Sequence, residues 1–235
     1  MADTQQLNLP LLSASQAQKH VTVNEALIRL DGMVQLRLQS VTDTIPPAVF
    51  SEADAYGVPA GATGLWAGQE GRIAIAVNGG WDFIDPRIGF QAYVIDAGAA
   101  AIFDGMDWRI GGLTFTPNRA GLNVSSVEID QPITSGSSVT TAPIIPERAI
   151  VFGVTGVITA AITGASAWRI GVTGEDQRYG SGLSTGVGSW LSGPSTPLVY
   201  WAPTPLVISS EDNDFSGGNL RLAVHFATLS IPAGP

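Results

Sequence analysis

Cysteine is absent from the 235 residues, which removes disulfides, thiolate nucleophiles and cysteine-bound metal and leaves the fold independent of redox conditions. Basic residues are scarce as well. Lys19 is the single lysine, and 11 basic against 20 acidic residues leave a formal net charge of -9. Nucleic acid is therefore not expected as a ligand, because a phosphate backbone is held by a clustered Lys/Arg stripe. Charged residues of both signs make up only 13% of the chain, the kind of surface in which Ser, Thr, Asn and Gly carry the hydrogen bonding or identical subunits bury much of it. No uninterrupted apolar run approaches the roughly 18 to 20 residues of a membrane span, so membrane insertion is not expected. The start MADTQQLNLP has neither the basic nor the apolar region of a signal peptide. There is no βαβ alternation to support a Rossmann or barrel scaffold. The two histidines, His20 and His225, fall in different predicted elements, which gives little support to a His-based metal site or a Ser-His-Asp triad. No cofactor is expected.

What the chain does have is glycine (28) and proline (15) in number, the punctuation of strands and turns, with one helical exception. Between Leu9 and Leu38, Val23, Leu27, Leu30 and Val34 recur at steps of four, three and four with Ala26 and Met33 beside them, one apolar helical face. Ser13 and Ser15 with Gln16 and Gln18 have capping-box spacing, Glu25 and Arg29 form an i,i+4 pair, and Asp31-Gly32 is the expected stop, Gly taking the left-handed position after the helix. The helix is placed at about 13–31. Val34, Leu36 and Leu38 then alternate with polar residues as a half-buried strand would.

Residues 56–110 show an internal echo. Arg72–Val77, Asn78-Gly79-Gly80 and Trp81–Ile84 form strand, turn, Trp, strand, and Ala101–Phe103, Asp104-Gly105 and Met106–Ile110 repeat the order, with Leu65-Trp66-Ala67-Gly68 as a degenerate third copy. Asn-Gly and Asp-Gly supply the positive φ of tight hairpins. The tryptophans close small β cores or, alternatively, form a row of sugar-stacking platforms. Residues 1–112 are assigned to a helix-plus-hairpin domain, 113–137 to a Gly/Ser/Pro-rich linker, and 138–235 to a second β domain with strands near 149–160, 167–173, 198–202, 205–209 and 219–228. Short strands between Gly/Pro turns indicate a β-sandwich of jelly-roll type.

The second domain gathers its charge in two loops, Thr173–Ser181 and Ser210–Phe215. A sugar site needs planar bidentate partners for vicinal hydroxyls and an aromatic face for C–H contacts. Glu175, Asp176, Arg178 and Tyr179 in the first loop, with Trp168, Trp190, Tyr200 and Trp201 near in sequence, supply both and are the candidate carbohydrate-binding residues. Solvated hairpin tips and core aromatics are the plainer reading of the same residues. Glu175, Asp176, Glu211, Asp212 and Asp214 also offer the carboxyl pair of a glycosidase, provided that two of them lie roughly 5 to 9.5 Å apart. Asp212-Asn213-Asp214 lacks the spacing and terminal Glu of an EF-hand loop, and no catalytic or metal-binding residue is assigned.

The segments Leu9-Pro10-Leu11-Leu12, Ser15–His20, Asn24-Glu25-Ala26-Leu27 and Leu30-Asp31, with Gly61–Trp66, Gly80-Trp81 and Asp104-Gly105-x-x-Trp108, resemble a domain of unknown function common in alphaproteobacterial prophages and gene transfer agents. Gly171-Val172-x-Gly174, Arg178–Gly182 and Phe215–His225 look like the C-terminal module often fused to it. The resemblance implies a fibre or head-spike protein on the surface of a phage-like particle, its first domain attached to capsid or tail proteins and its second touching host capsular or surface polysaccharide. Such proteins are symmetric homo-oligomers, most often trimers. The resulting expectation is a non-enzymatic receptor-binding subunit; the alternatives are a glycan depolymerase and a purely structural adaptor for another adhesin.

Overall fold

The computed structural model describes residues 3–13 and 19–234. Contacts divide the chain into two units, Met1–Arg119 and Ala120–Pro235. Among the described residues the chain is mainly β with one α-helix, as the turn-rich composition predicts.

In the first unit the helix α1 runs Lys19–Met33. The capping-box residues Ser15, Gln16 and Gln18 lie outside the described residues. Eight strands follow: β1 (Arg37–Leu38), β2 (Ala55–Gly57), β3 (Ile73–Val77), β4 (Gly80–Ile84), β5 (Gln91–Val94), β6 (Ala99–Phe103), β7 (Trp108–Ile110) and β8 (Gly112–Phe115). The first seven build the sheets β1-β5-β6-β7 and β2-β3-β4. Strand β3 explains how one short run serves two cores. Its alternation sends Ile73 and Ile75 into the core shared with Leu38, Ala92, Val94 and Ala101, and turns Ala74 to the opposite face, where Tyr56, Trp66 and Trp81 pack. The aromatic rings there meet at 5.2 to 5.6 Å between centroids, and alanine leaves the room they need. Trp66, Trp81 and Trp108 are thus core residues, and the stacking-platform alternative is set aside for them.

The helix stop differs from expectation. Gly32 remains helical and is buried because a Cβ there would stand 2.9 Å from Ile75 Cδ1. The left-handed residue is Gln35, with φ 55°, after Val34 N–H has donated to Leu30 O at 2.9 Å. The expected strand over Val34–Leu38 shrinks to β1. The packed face differs too: Leu27, Ile28, Asp31 and Gly32 turn inward, whereas Val23, Leu30 and Val34 are exposed. Asp31 is the anchor. Its carboxylate accepts from Thr4 Oγ1 and the backbone N–H of Leu7, each at 2.7 Å, and from Gln6 N–H at 3.0 Å. Burial opposes its charge, and these donors outweigh that penalty and hold its pKa below the ordinary value.

The β3–β4 hairpin turns through Asn78 and Gly79, both at positive φ, as predicted. The second hairpin does not use a two-residue turn. Asp104 Oδ1 instead accepts from the N–H groups of Met106 and Asp107 at 3.0 and 2.9 Å, the side chain closing a longer connection. Its Oδ2 receives Arg109 Nε and Arg119 Nε at 2.6 and 2.8 Å, and Arg119 also pairs with Asp107.

The second unit has eight strands: β9 (Gly121–Pro132), β10 (Ser138–Ile145), β11 (Ala149–Thr163), β12 (Trp168–Val172), β13 (Glu175–Leu183), β14 (Trp190–Tyr200), β15 (Thr204–Ser210) and β16 (Gly217–Ser230). Within this unit the sheet orders are β14-β11-β16-β9 and β10-β15-β12-β13, all pairings antiparallel. Counted from the first strand of the unit, these orders read 6-3-8-1 and 2-7-4-5, the order of a jelly roll. A core running from Ile133 through Phe226 lies between the sheets. The expected linker at 113–137 is not one: β8 and β9 occupy it, and β9 pairs with β16 over its whole length. Its polar look has a physical reason, since Ser126, Glu128 and Asp130 face solvent while Val127 and Ile129 pack on the core.

Glycine keeps the sandwich edges close. A Cβ on Gly193 of β14 would fall 2.0 Å from Tyr179 O of β13, and one on Gly171 would fall 1.9 Å from Glu175 O. Strand β14 lies at the edge of its sheet and carries Pro194 and Pro197.

Candidate functional site

The residues expected to bind carbohydrate separate into three groups. Trp168, Tyr179 and Tyr200 are buried at 2%, 2% and 8% exposure and offer no ring face to a ligand, which corrects the expectation for them. Trp168 Nε1 donates to Ser184 O at 2.8 Å, and the hydroxyls of Tyr179 and Tyr200 meet at 2.8 Å. Burial, then the Tyr200 hydroxyl, push the Tyr179 phenol well above its ordinary pKa.

Glu175, Asp176 and Arg178 are on β13, paired with β12 through a tight turn at Thr173-Gly174, so the expected loop is largely strand. Their charges are matched internally. Arg178 Nη1 binds Glu175 Oε2 at 2.6 Å and its Nη2 donates to Thr196 O at 2.9 Å, while Arg169 Nε meets Asp176 Oδ2 at 2.8 Å. The Ser210–Phe215 loop lies at the other end of β12, because Trp168 pairs with Ser210 and Val172 with Glu175. Asp212 accepts from Ser166 Oγ at 2.6 Å and from its N–H at 3.0 Å, bonds that hold its pKa below the ordinary value. Glu211 accepts from Gly182 N–H at 2.8 Å, a contact made just beyond the far end of the first stretch.

Trp190 and Trp201 remain, exposed at 74% and 77%. They bracket β14, Trp190 pairing with Val157 midway along β11 and Tyr200 with Ala149 at its first residue, so they form separate surfaces. Trp190 is the better placed. It stands beside a cleft of ≈ 560 Å³ lined by Leu183, Ser184, Val187 and Ser189. Register also sets it in one cross-strand row with Val157, Arg221 and Asp130 on the outer face of the sheet. At about 4.8 Å per strand, Arg221 lies two strands, roughly 10 Å, from Trp190. Arg221 grips Asp130 with two bonds, 2.8 and 2.9 Å, and this guanidinium lowers the Asp130 pKa. Two rows along, His225 pairs in register with Ser126 and Gly153, its ring nitrogens bonded to Ser126 Oγ and Thr155 Oγ1 at 2.7 and 2.8 Å.

Sequence reasoning missed Arg221 and Asp130. The alternation of Leu220–Phe226 marks Arg221 as outward-facing, but its partner lies 91 residues away. Gly182-Leu183-Ser184-Thr185-Gly186 has the spacing of a nucleophile elbow, yet it connects two strands, where the elbow requires a strand-to-helix turn. Among the described residues no group of three or more His, Asp or Glu side chains is arranged to hold a metal ion, and no helix is long and apolar enough to cross a membrane.

Residues 23–109 match a family model described as a protein of unknown function (DUF2793). No curated protein matches the chain significantly. Among solved structures, a chain of the cyanophage Pam1 capsid asymmetric unit aligns at 25% identity over 50% of this chain and 86% of that one, with a TM-score of 0.31, below the level of a shared fold.

Proposed function

We propose that this chain is a structural and receptor-binding subunit on the surface of a phage-like particle, and that its jelly-roll unit binds a host capsular or surface polysaccharide. The supporting observation is Trp190: an exposed indole on an edge strand, beside a hydroxyl-lined cleft and in one cross-strand row with the Arg221–Asp130 pair about 10 Å away. An indole face accepts the C–H face of a pyranose, and a carboxylate and guanidinium held flat on the sheet suit paired hydroxyls. The first unit serves attachment to capsid or tail proteins, and the exposed row Val23, Leu30 and Val34 suits association of identical subunits, a trimer being the favoured state. Binding is preferred to hydrolysis because four of the five candidate carboxyls, Glu175, Asp176, Glu211 and Asp212, are each committed to an arginine, a serine or a backbone N–H.

The test is binding of the full chain to glycan arrays and to capsule-coated cells, with Trp190→Ala and Trp201→Ala side by side. Trp190→Ala should weaken binding about tenfold per site, amplified where several copies engage together. No binding to any glycan, or equal binding by Trp190→Ala, overturns the reading.

A further inference from the structure

The 11 basic residues comprise Lys19 and ten arginines. Eight arginines pair with a carboxylate: Arg29, Arg72, Arg109, Arg119, Arg148, Arg169, Arg178 and Arg221. Among the described residues Arg37 and Arg87 have no such partner, and Arg37 lines a cleft. In a chain with nearly two acids per base, a guanidinium left without a carboxylate on a concave surface is one that an incoming anion can take.

The surroundings of Arg37 narrow that anion. The cleft, ≈ 670 Å³, lies on the β1-β5-β6 sheet of the first unit and presents Gln35, Arg37, Gln91, Tyr93 and Ile102 over a floor of small residues. Arg37 and Tyr93 are register partners on adjacent parallel strands, and Tyr93 is half exposed. Gln91 pairs with Ile102. Among the described residues no aspartate or glutamate lines the cleft. Gln35 adds a second amide at the position after α1 where φ is 55°. Glycine relieves that conformation at no steric cost, yet the chain carries an amide there.

We infer that this cleft is a binding site for an acidic sugar, a pyranose bearing a carboxylate. Arg37 takes the carboxylate through its planar fork, the Gln35 and Gln91 amides take ring hydroxyls as both donors and acceptors, and Tyr93 with Ile102 covers the apolar face of the ring. The site is independent of the one at Trp190 and lies in the other unit.

The full chain is titrated with sodium glucuronate, glucose and sodium acetate, followed by amide NMR shifts and calorimetry. Glucuronate should shift the amides of residues 35–37 and 91–93 and bind at least tenfold more tightly than glucose or acetate. Arg37→Gln should remove that preference, Gln91→Ala should weaken binding severalfold, and Trp190→Ala and Arg87→Gln should leave it unchanged. Glucuronate binding that survives Arg37→Gln, shifts confined to other residues, or equal affinity for acetate overturns the inference, whatever Trp190→Ala does to polysaccharide capture.

Discussion

Asp104 is the residue on which the charge balance of the first unit turns. Its side chain is fully covered. Burial opposes ionisation, but the N–H groups of Asp107 and Met106 and the guanidinium groups of Arg119 and Arg109 outweigh it and hold the pKa at about 2. A folded pKa below the unfolded one means stability that is complete above the ordinary carboxylate range and lost as pH falls toward 2. The depression corresponds to about 2 kcal/mol. Asp104→Asn should therefore lower the urea midpoint of the first unit at pH 7 and flatten its decline between pH 4 and 2. An unchanged acid limb would show that the carboxylate is not the responsible group. Gly193 gives a steric counterpart in the second unit. With a Cβ 2.0 Å from Tyr179 O, Gly193→Ala must separate β13 from β14, a loss of about 2 to 3 kcal/mol that thermal unfolding would report.

For the elements, α1 joins the N-terminal segment to the sheets through one carboxylate. Asp31→Ala strands the hydroxyl of Thr4 and the N–H groups of Gln6 and Leu7, at a cost of about 1 to 3 kcal/mol. The specific sign should be faster hydrogen exchange at Gln6 and Leu7, with the β3 amides little changed. This helix also marks how far the sequence could be read. Apolar spacing located it, but that spacing named the wrong face as buried: Val23 and Leu30 stand exposed while Asp31 and Gly32 are covered. The spacing rule weighs side-chain polarity, whereas this interface was decided by the contact space that Gly32 leaves for Ile75 and by hydrogen-bond demand at Asp31. The Asn78-Gly79 hairpin was legible because positive φ is a property of the residues in the turn themselves. At the candidate site the exposed aromatics could not be told from the buried ones, since Trp168 and Trp190 are alike in composition and local pattern and differ only in which strand edge they meet. Arg221 with Asp130, and Arg37 beside Tyr93, are juxtapositions created by strand order, which local sequence does not carry.

Across the whole molecule, each unit has its own core, so residues 120–235 alone should unfold in one cooperative transition and show dispersed amide shifts. Failure to fold would mean that the jelly roll draws stability from the preceding unit. The subunit state is measurable by light scattering: the full chain should have a mass that is a multiple of 24.4 kDa. Leu30→Asp, at an exposed helical position, should reduce it toward 24.4 kDa with little change in unfolding midpoint.

Strand β14 has a consequence for display at high density. Edge strands with free N–H groups recruit one another, and a particle that carries many copies of a β-sandwich within a few nanometres raises that hazard. Pro194 and Pro197 remove two donors from the strand, and Gly193 lets it press against β13. The edge that presents Trp190 is thereby a poor template for a neighbouring strand, so crowded copies can keep their indole faces free, as the proposed binding role requires.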